Sequence, residues 1–203
     1  ESQGWPRKGW NYSFFNHAME PFPQAWLTKS IFNDEPLVHI GIVDNEGEMK
    51  MWNDQVVGQK VISSHWNRLE GKKYNCYTYT NADDVELFLN GKSLGKKEMP
   101  RNSHLQWNVN YAPGKLEAVA NKKGRQLKAK VETTGQAAEV VLTPYKTTML
   151  ADGQDVTVIN VSLIDREGRE VPDADNMVKF YISGDARPDD PVGRGISNDI
   201  YAP

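Results

Sequence analysis

The chain's 203 residues are 38% hydrophobic and 25% charged, with both signs interspersed and a formal net charge of −3. A mean hydropathy of −0.65, and no apolar run near the ~18 residues that span a bilayer, argue against a membrane partner, and the charge balance argues against nucleic acid. A single cysteine, Cys76, excludes an internal disulfide.

From residue 1 to about residue 60 the text is irregular and aromatic, with Trp5, Trp10, Tyr12, Phe14, Phe15, Phe22, Trp26 and Phe32. One helix is expected there, from about Pro23 to Phe32. Proline suits a first helical turn, and Leu27 and Ile31 share a face near Trp26. Pro36 ends it, because the residue before proline avoids the α region. Leu37 to Val43 is a short apolar strand, and residues 44–60 read as polar and turn-rich. Residues 1 to 40 have too few elements to close a core of their own, so they are expected to pack on the first sandwich, or on protein outside this chain, with Trp26 and Phe32 among the buried contacts.

Between about Val61 and Val131 short strands alternate with turn residues. Tyr74–Thr80, Val85–Leu89, Leu105–Val109, Leu116–Ala120 and Gln126–Val131 are separated by Asp83-Asp84, Asn90-Gly91, Ala112-Pro113-Gly114 and Lys123-Gly124. In Val85–Leu89 apolar residues recur with period two, and Asn90-Gly91 is the favoured pair of a two-residue hairpin turn. Such strands about ten residues apart predict a β-sandwich, with Trp107 as its core aromatic. Cys76 reads as a small buried hydrophobe, and the basic cluster from Lys122 to Lys130 as the wet face of a strand. Residues 132–138 are small and polar, as a junction would be. A second series follows at Glu139–Leu142, Val156–Ile164 and Met177–Ile182. Three or four strands are too few for a whole sandwich. The fold class is therefore mainly β, in three parts: a connecting segment at 1–60, a sandwich at 61–135 and a second, incomplete one at 136–203.

Little catalytic chemistry is visible. The acid pairs Asp34-Glu35, Asp83-Asp84 and Asp189-Asp190 are adjacent in sequence and sit in turns, unlike a carboxylate dyad facing across a sugar ring. Asp152-Gly153-Gln154-Asp155 lacks the length and terminal glutamate of a calcium loop. His17, His39, His65 and His104 show no metal-ligand spacing, so no metal and no cofactor is expected. Asn11-Tyr12-Ser13 and Asn160-Val161-Ser162 fit the glycosylation triplet, which is common by chance, and the second lies in a strand pattern.

The wording of residues 81–95 carries more. Asn81-Ala82-Asp83-Asp84-Val85-Glu86-Leu87-Phe88-Leu89-Asn90-Gly91-Lys92-Ser93-Leu94-Gly95 resembles a strand of the immunoglobulin-like domain that follows the catalytic barrel in glycoside hydrolase family 2, the β-galactosidase family. Ser64-His65-Trp66-Asn67 with Gly71, and Trp107 with Tyr111-Ala112-Pro113-Gly114 and Leu116-Glu117-Ala118, are similar to the rest of that domain. Thr133-Thr134-Gly135, Leu150 to Asp155 and Val171 to Ala174 resemble the next domain of the same enzymes. Gly4-Trp5-Pro6 and residues 30–39 resemble the end of the barrel, while residues 185–203 follow the pattern poorly.

The resemblance implies immunoglobulin-like sandwiches preceded by a short α/β remnant of a TIM-barrel end. It also implies the non-catalytic part of a retaining exo-β-glycosidase, here a β-galactosidase, whose two catalytic glutamates precede residue 1. No catalytic residue is then assigned in this chain. Trp5 and Trp10 become the substrate-binding candidates, since aromatic faces stack on pyranose C–H faces and the catalytic end of a barrel carries such loops. His65 is placed at the barrel-to-sandwich junction. The implied partners are the rest of the barrel, a carbohydrate substrate through the parent enzyme, and a second copy in a homodimer. The implied location is bacterial, periplasmic or secreted. Two rival functions are a carbohydrate-binding module, which needs a row of exposed aromatics on one sheet face, and a structural adhesion module.

Overall fold

The computed structural model describes residues 14–15, 21–45, 50–52, 55–57, 60–150, 152 and 154–181. The chain divides into two compact units, Glu1–Thr133 and Thr134–Pro203.

In the first unit, helix α1 (Pro23–Phe32) has proline in its opening turn and ends where the Asn33 N–H donates to the Lys29 carbonyl at 3.0 Å. The strands are β1 (Val38–Asn45), β2 (Lys50–Trp52), β3 (Gln55–Val57), β4 (Val61–Ser63), β5 (Lys73–Thr80), β6 (Asp84–Leu89), β7 (Lys92–Glu98), β8 (Leu105–Asn110), β9 (Lys115–Lys122) and β10 (Arg125–Glu132). Two four-stranded antiparallel sheets result, ordered β4-β1-β5-β8 and β10-β9-β6-β7, while among the described residues β2 and β3 pair with each other. The fold is mainly β and sandwich-like. Alternation explains the shared core: Leu105, Trp107 and Val109 face in from β8, Leu116, Ala118 and Ala120 from β9, and Val85 and Leu87 from β6. Trp107 is 4% exposed, its indole N–H donating to the Gly95 carbonyl at 3.2 Å. Cys76 is buried in the same core, which pushes its thiol up to about 12.

The β6–β7 hairpin turns on Asn90 and Gly91 with φ of 50° and 80°, both positive as a two-residue turn of this hand requires. Asn90 also bonds away from the hairpin. Its Oδ1 accepts from the Lys115 N–H at 2.7 Å and its Nδ2 donates to the Pro113 carbonyl at 2.9 Å. A Cβ on Gly114 would lie 2.0 Å from that Oδ1, so the 112–114 turn needs glycine as much for space as for its φ of 128°.

Three placements differ from the sequence reading. β1 lies between β4 and β5 of the first sheet, so the sandwich begins well before residue 61. Its register runs from Val38 opposite Thr80 to Ile42 opposite Cys76, a long-range pairing with no local signature. The short β2–β3 ladder falls in a stretch read as turns. Residues 177–181 of the expected Met177–Ile182 strand are not extended into a ladder, and Ile182 lies outside the described residues. A strand needs a neighbour to take its N–H and C=O groups, and apolar character at Met177, Phe180 and Tyr181 does not supply one.

The second unit shows, among the described residues, one antiparallel sheet of β11 (Glu139–Pro144) and β12 (Ile159–Ile164). Its fixed point is Asp165, which is buried. The carboxylate accepts from the Gly135, Glu167 and Arg169 backbone N–H groups at 2.8, 2.9 and 3.0 Å, and from Arg169 Nε at 2.9 Å. The Gly135 N–H, with Arg169 second, holds this carboxyl well below the usual range. Asp152 accepts from the Gln154 and Asp155 N–H groups at 2.9 and 2.8 Å, which is the Asx turn of a strand-entry loop.

Candidate functional site

The chemistry of the first unit gathers on the outer face of the sheet β4-β1-β5-β8. Strand β5 is buried on both sides from Cys76 to Thr80. Its even positions face the sandwich core, and Tyr77 and Tyr79 face outward into a second cluster with Val43. Trp26 and Leu27 of α1 and Ile62 of β4 pack against them, so the helix covers this face. Gly41 lets the layer close: a Cβ there would meet Ile62 Cγ2 at 2.9 Å and the Tyr79 ring at 3.1 Å. Trp26 therefore packs as expected. Phe32 does not; it is 84% exposed, because it is the last residue of α1 and the docked face of the helix runs through Trp26 and Leu27.

Two histidines line this layer. His39 stacks on Trp26 with ring centroids 4.3 Å apart and an interplanar angle of 9°, opposite Tyr79 in the β1–β5 ladder. Its Nε2 lies 2.8 Å from Ser64 Oγ. Burial lowers its pKa from 6.5 to about 4, so it is neutral at pH 7. His104 sits 4.2 Å from the Tyr77 ring, and burial, with Lys60 second, lowers its pKa as well. His65 lies against Arg68, whose Nη2 is 2.7 Å from the Asp44 carboxylate near the end of β1.

A clamp ties the end of α1 to the sandwich. Asn81, at the β5–β6 corner, accepts from the Leu37 N–H at 3.0 Å and donates to the carbonyls of Asn33 and Glu35 at 2.7 and 2.8 Å. Thr80 Oγ1 donates to the Leu37 carbonyl and Lys122 Nζ to that of Asp34 at 2.9 Å. Nothing local in the text marks Asn81 for this, since its partners lie more than 40 residues upstream. Asn81→Ala should cost about 1–3 kcal/mol by leaving three backbone groups without their partner. The variant should be cut within residues 33–37 under protease limits that spare the parent; equal resistance of the two would refute the clamp.

The sequence-level site residues fare unevenly. Trp5, Trp10, His17 and the pair Asp189-Asp190 lie outside the described residues. Asp83 accepts from the Lys123 N–H at 2.8 Å and so serves its turn, while Asp84, at the start of β6, pairs with Lys96 of β7 at 2.9 Å. Asp34 and Glu35 lie in the clamped connector. Among the described residues no three His, Cys, Asp or Glu side chains converge as a metal site. Tyr77 and Tyr79 are 5% and 3% exposed and so form no platform for a sugar.

A family model described as glycoside hydrolase family 2 C-terminal domain 5 matches residues 140–188, and one described as a domain of unknown function, DUF4982, matches residues 71–128. The chain is 35% identical over 181 residues to the β-galactosidase BoGH2A of Bacteroides ovatus, covering 84% of this chain and 20% of that protein. It superposes with a TM-score of 0.70 and 34% identity on the crystal structure of a glycosyl hydrolase family 2 member from Bacteroides cellulosilyticus, covering 79% of this chain and 22% of the other. The chain belongs to the C-terminal region of glycoside hydrolase family 2. A second family 2 relative, a β-glucuronidase of Formosa agariphila, is 36% identical over 144 residues, which is 67% of this chain and 14% of that enzyme. The chain thus spans about a fifth or less of the length of these family 2 relatives. Four of the residues quoted above for the family resemblance meet in one corner: Thr133 Oγ1 donates to the Trp66 carbonyl at 3.0 Å and accepts from the Gly114 N–H at 3.1 Å, and the Trp66 indole donates to the Ala112 carbonyl at 3.1 Å.

Proposed function

We propose that this chain is the non-catalytic C-terminal portion of a bacterial retaining exo-β-glycosidase, a β-galactosidase, periplasmic or secreted. Its likeness to the Bacteroides ovatus β-galactosidase over 84% of its residues carries this reading, and it exceeds the 67% shared with the Formosa β-glucuronidase. Retaining hydrolysis needs two carboxyl groups about 5–5.5 Å apart, one as nucleophile and one as acid and base. Asp34 and Glu35 lie in the exposed connector, Asp83 serves its turn and Asp84 pairs with Lys96 across β6 and β7, an arrangement unlike a carboxylate dyad, which supports a catalytic pair supplied upstream. In the complete protein α1 and the clamped connector join the sandwich to the barrel, and Trp5 and Trp10 contribute to substrate binding.

The chain by itself is expected to hydrolyse neither aryl β-galactosides nor aryl β-glucuronides above background. A longer protein that includes the barrel should favour the galactoside. Turnover by this chain that disappears when one of its own acids is replaced would overturn the proposal, and a longer protein preferring the glucuronide would overturn the galactosidase assignment alone.

A further inference from the structure

Beside the clamp lies an open cavity of about 190 Å³, bounded by the last turn of α1, the β5–β6 corner and the loop from β7 to β8. The polar side chains of two walls are already engaged. Ser30 donates to the Leu27 carbonyl at 2.7 Å, Thr80 to that of Leu37, and Asn81 serves the connector. These walls add only the apolar surfaces of Ile31 and Ala82, continued by Met99. The third wall differs. Arg101, Asn102 and Ser103 line it, and among the described residues Arg101 has no carboxylate partner within ion-pair distance. Asn102 holds φ at 53°, a left-handed conformation that turns the loop at this point.

We propose that this cavity is a binding site for a single sugar acid. The guanidinium of Arg101 takes the carboxylate through paired N–H bonds, the geometry that sets arginine apart from lysine. Asn102 and Ser103 exchange hydrogen bonds with ring hydroxyls, and Ile31, Ala82 and Met99 meet the C–H edge of the ring. The volume is below the roughly 300–1,000 Å³ of sites for drug-sized ligands, so the occupant is one ring rather than an oligosaccharide. A lone arginine also discriminates against polyphosphates, which are held by several cationic or backbone donors at once. This site is separate from the catalytic function proposed above and holds whether or not that reading does.

The test is a titration of the full, isotope-labelled chain with D-glucuronate, with D-galactose as the neutral control, followed by amide chemical shifts. Saturable shifts confined to residues 30–31, 80–82 and 99–103 are expected with glucuronate. Affinity should fall by about tenfold or more for galactose and for Arg101→Gln, the loss of one charge-assisted pair. Ser103→Ala should weaken binding by less. Absence of saturation at tens of millimolar glucuronate overturns the proposal. Equal binding of the two sugars, or shifts that Arg101→Gln leaves unchanged, overturns it too. Since no readout is hydrolytic, these outcomes stay distinct from those that test the glycosidase assignment.

Discussion

Trp66→Ala is expected to remove about 3–5 kcal/mol from the stability of the first unit, the usual cost of deleting a buried large aromatic. Trp66 is fully buried, stands edge-on to Tyr111 with centroids 5.1 Å apart, and fills the corner where the 64–67 segment, the 111–114 turn and Thr133 meet. Truncation opens a void there and also strips the Ala112 carbonyl of its indole donor. Domains of this size retain only about 5–15 kcal/mol in total, so the variant should be partly unfolded at modest urea. Trp66→Phe separates the contributions: it keeps most of the packing and loses the N–H, and should cost about 1–2 kcal/mol. Equilibrium urea unfolding measures both. A loss below about 1 kcal/mol for the alanine variant would mean that neither the packing nor the indole hydrogen bond of Trp66 holds the corner.

The second large effect is on acid stability. His39 titrates near 6.5 in an unfolded chain and about 4 in the folded one, because burial between α1 and the sheet penalises the imidazolium. Above pH 6.5 the ring is neutral in both states and burial carries no proton penalty. As the pH falls from 6.5 toward 4 the unfolded state takes the proton first, and stability is lost across that window, by about 3 kcal/mol at most for a shift of this size. His104 shifts in the same direction and adds to the slope. His39→Gln retains a polar partner for Ser64 but cannot ionise. Its stability, measured by urea unfolding at intervals from pH 7 to 4, should decline less steeply than that of the parent. Parallel curves would show that the folded ring already carries its proton through this range.

Strand positions were legible in the sequence wherever one face is buried and a turn residue is demanded. β6, β8 and β9 alternate cleanly, and Asn90-Gly91 could adopt its two positive φ angles with little competition. Prolines at 23 and 36 bracketed α1, since proline acts on the backbone locally. Long-range choices left no such trace. β1 read as a strand, yet its place between β4 and β5 depends on pairing across some 40 residues. The face on which α1 docks was equally hidden: Trp26 and Phe32 are both aromatic helix residues, and only the position of the sheet decides that one packs and the other is exposed. The clamp at Asn81 stayed hidden for the same reason, because an asparagine beside aspartates satisfies turn chemistry without revealing distant partners. Of the residues singled out for sugar contact, Trp5 and Trp10 lie outside the described residues, so the cavity lined by Arg101 rests on geometry alone.

Strand β5 departs from the rule by which sheets keep their alignment. A strand with one wet side resists slipping by a residue, because a slip would exchange oil for water along its whole length. Having both flanks covered, β5 lacks that polarity check. Bulk replaces it: Cys76, Thr78 and Thr80 are narrow, whereas Tyr77 and Tyr79 need the depth beneath α1. Misalignment would drive two phenols into a densely filled interior and leave hollows under the helix. Assembly fidelity along this strand is therefore a matter of steric size, and substitutions that equalise the two flanks, such as tyrosine at 78 or threonine at 77, should yield competing alignments before they abolish folding.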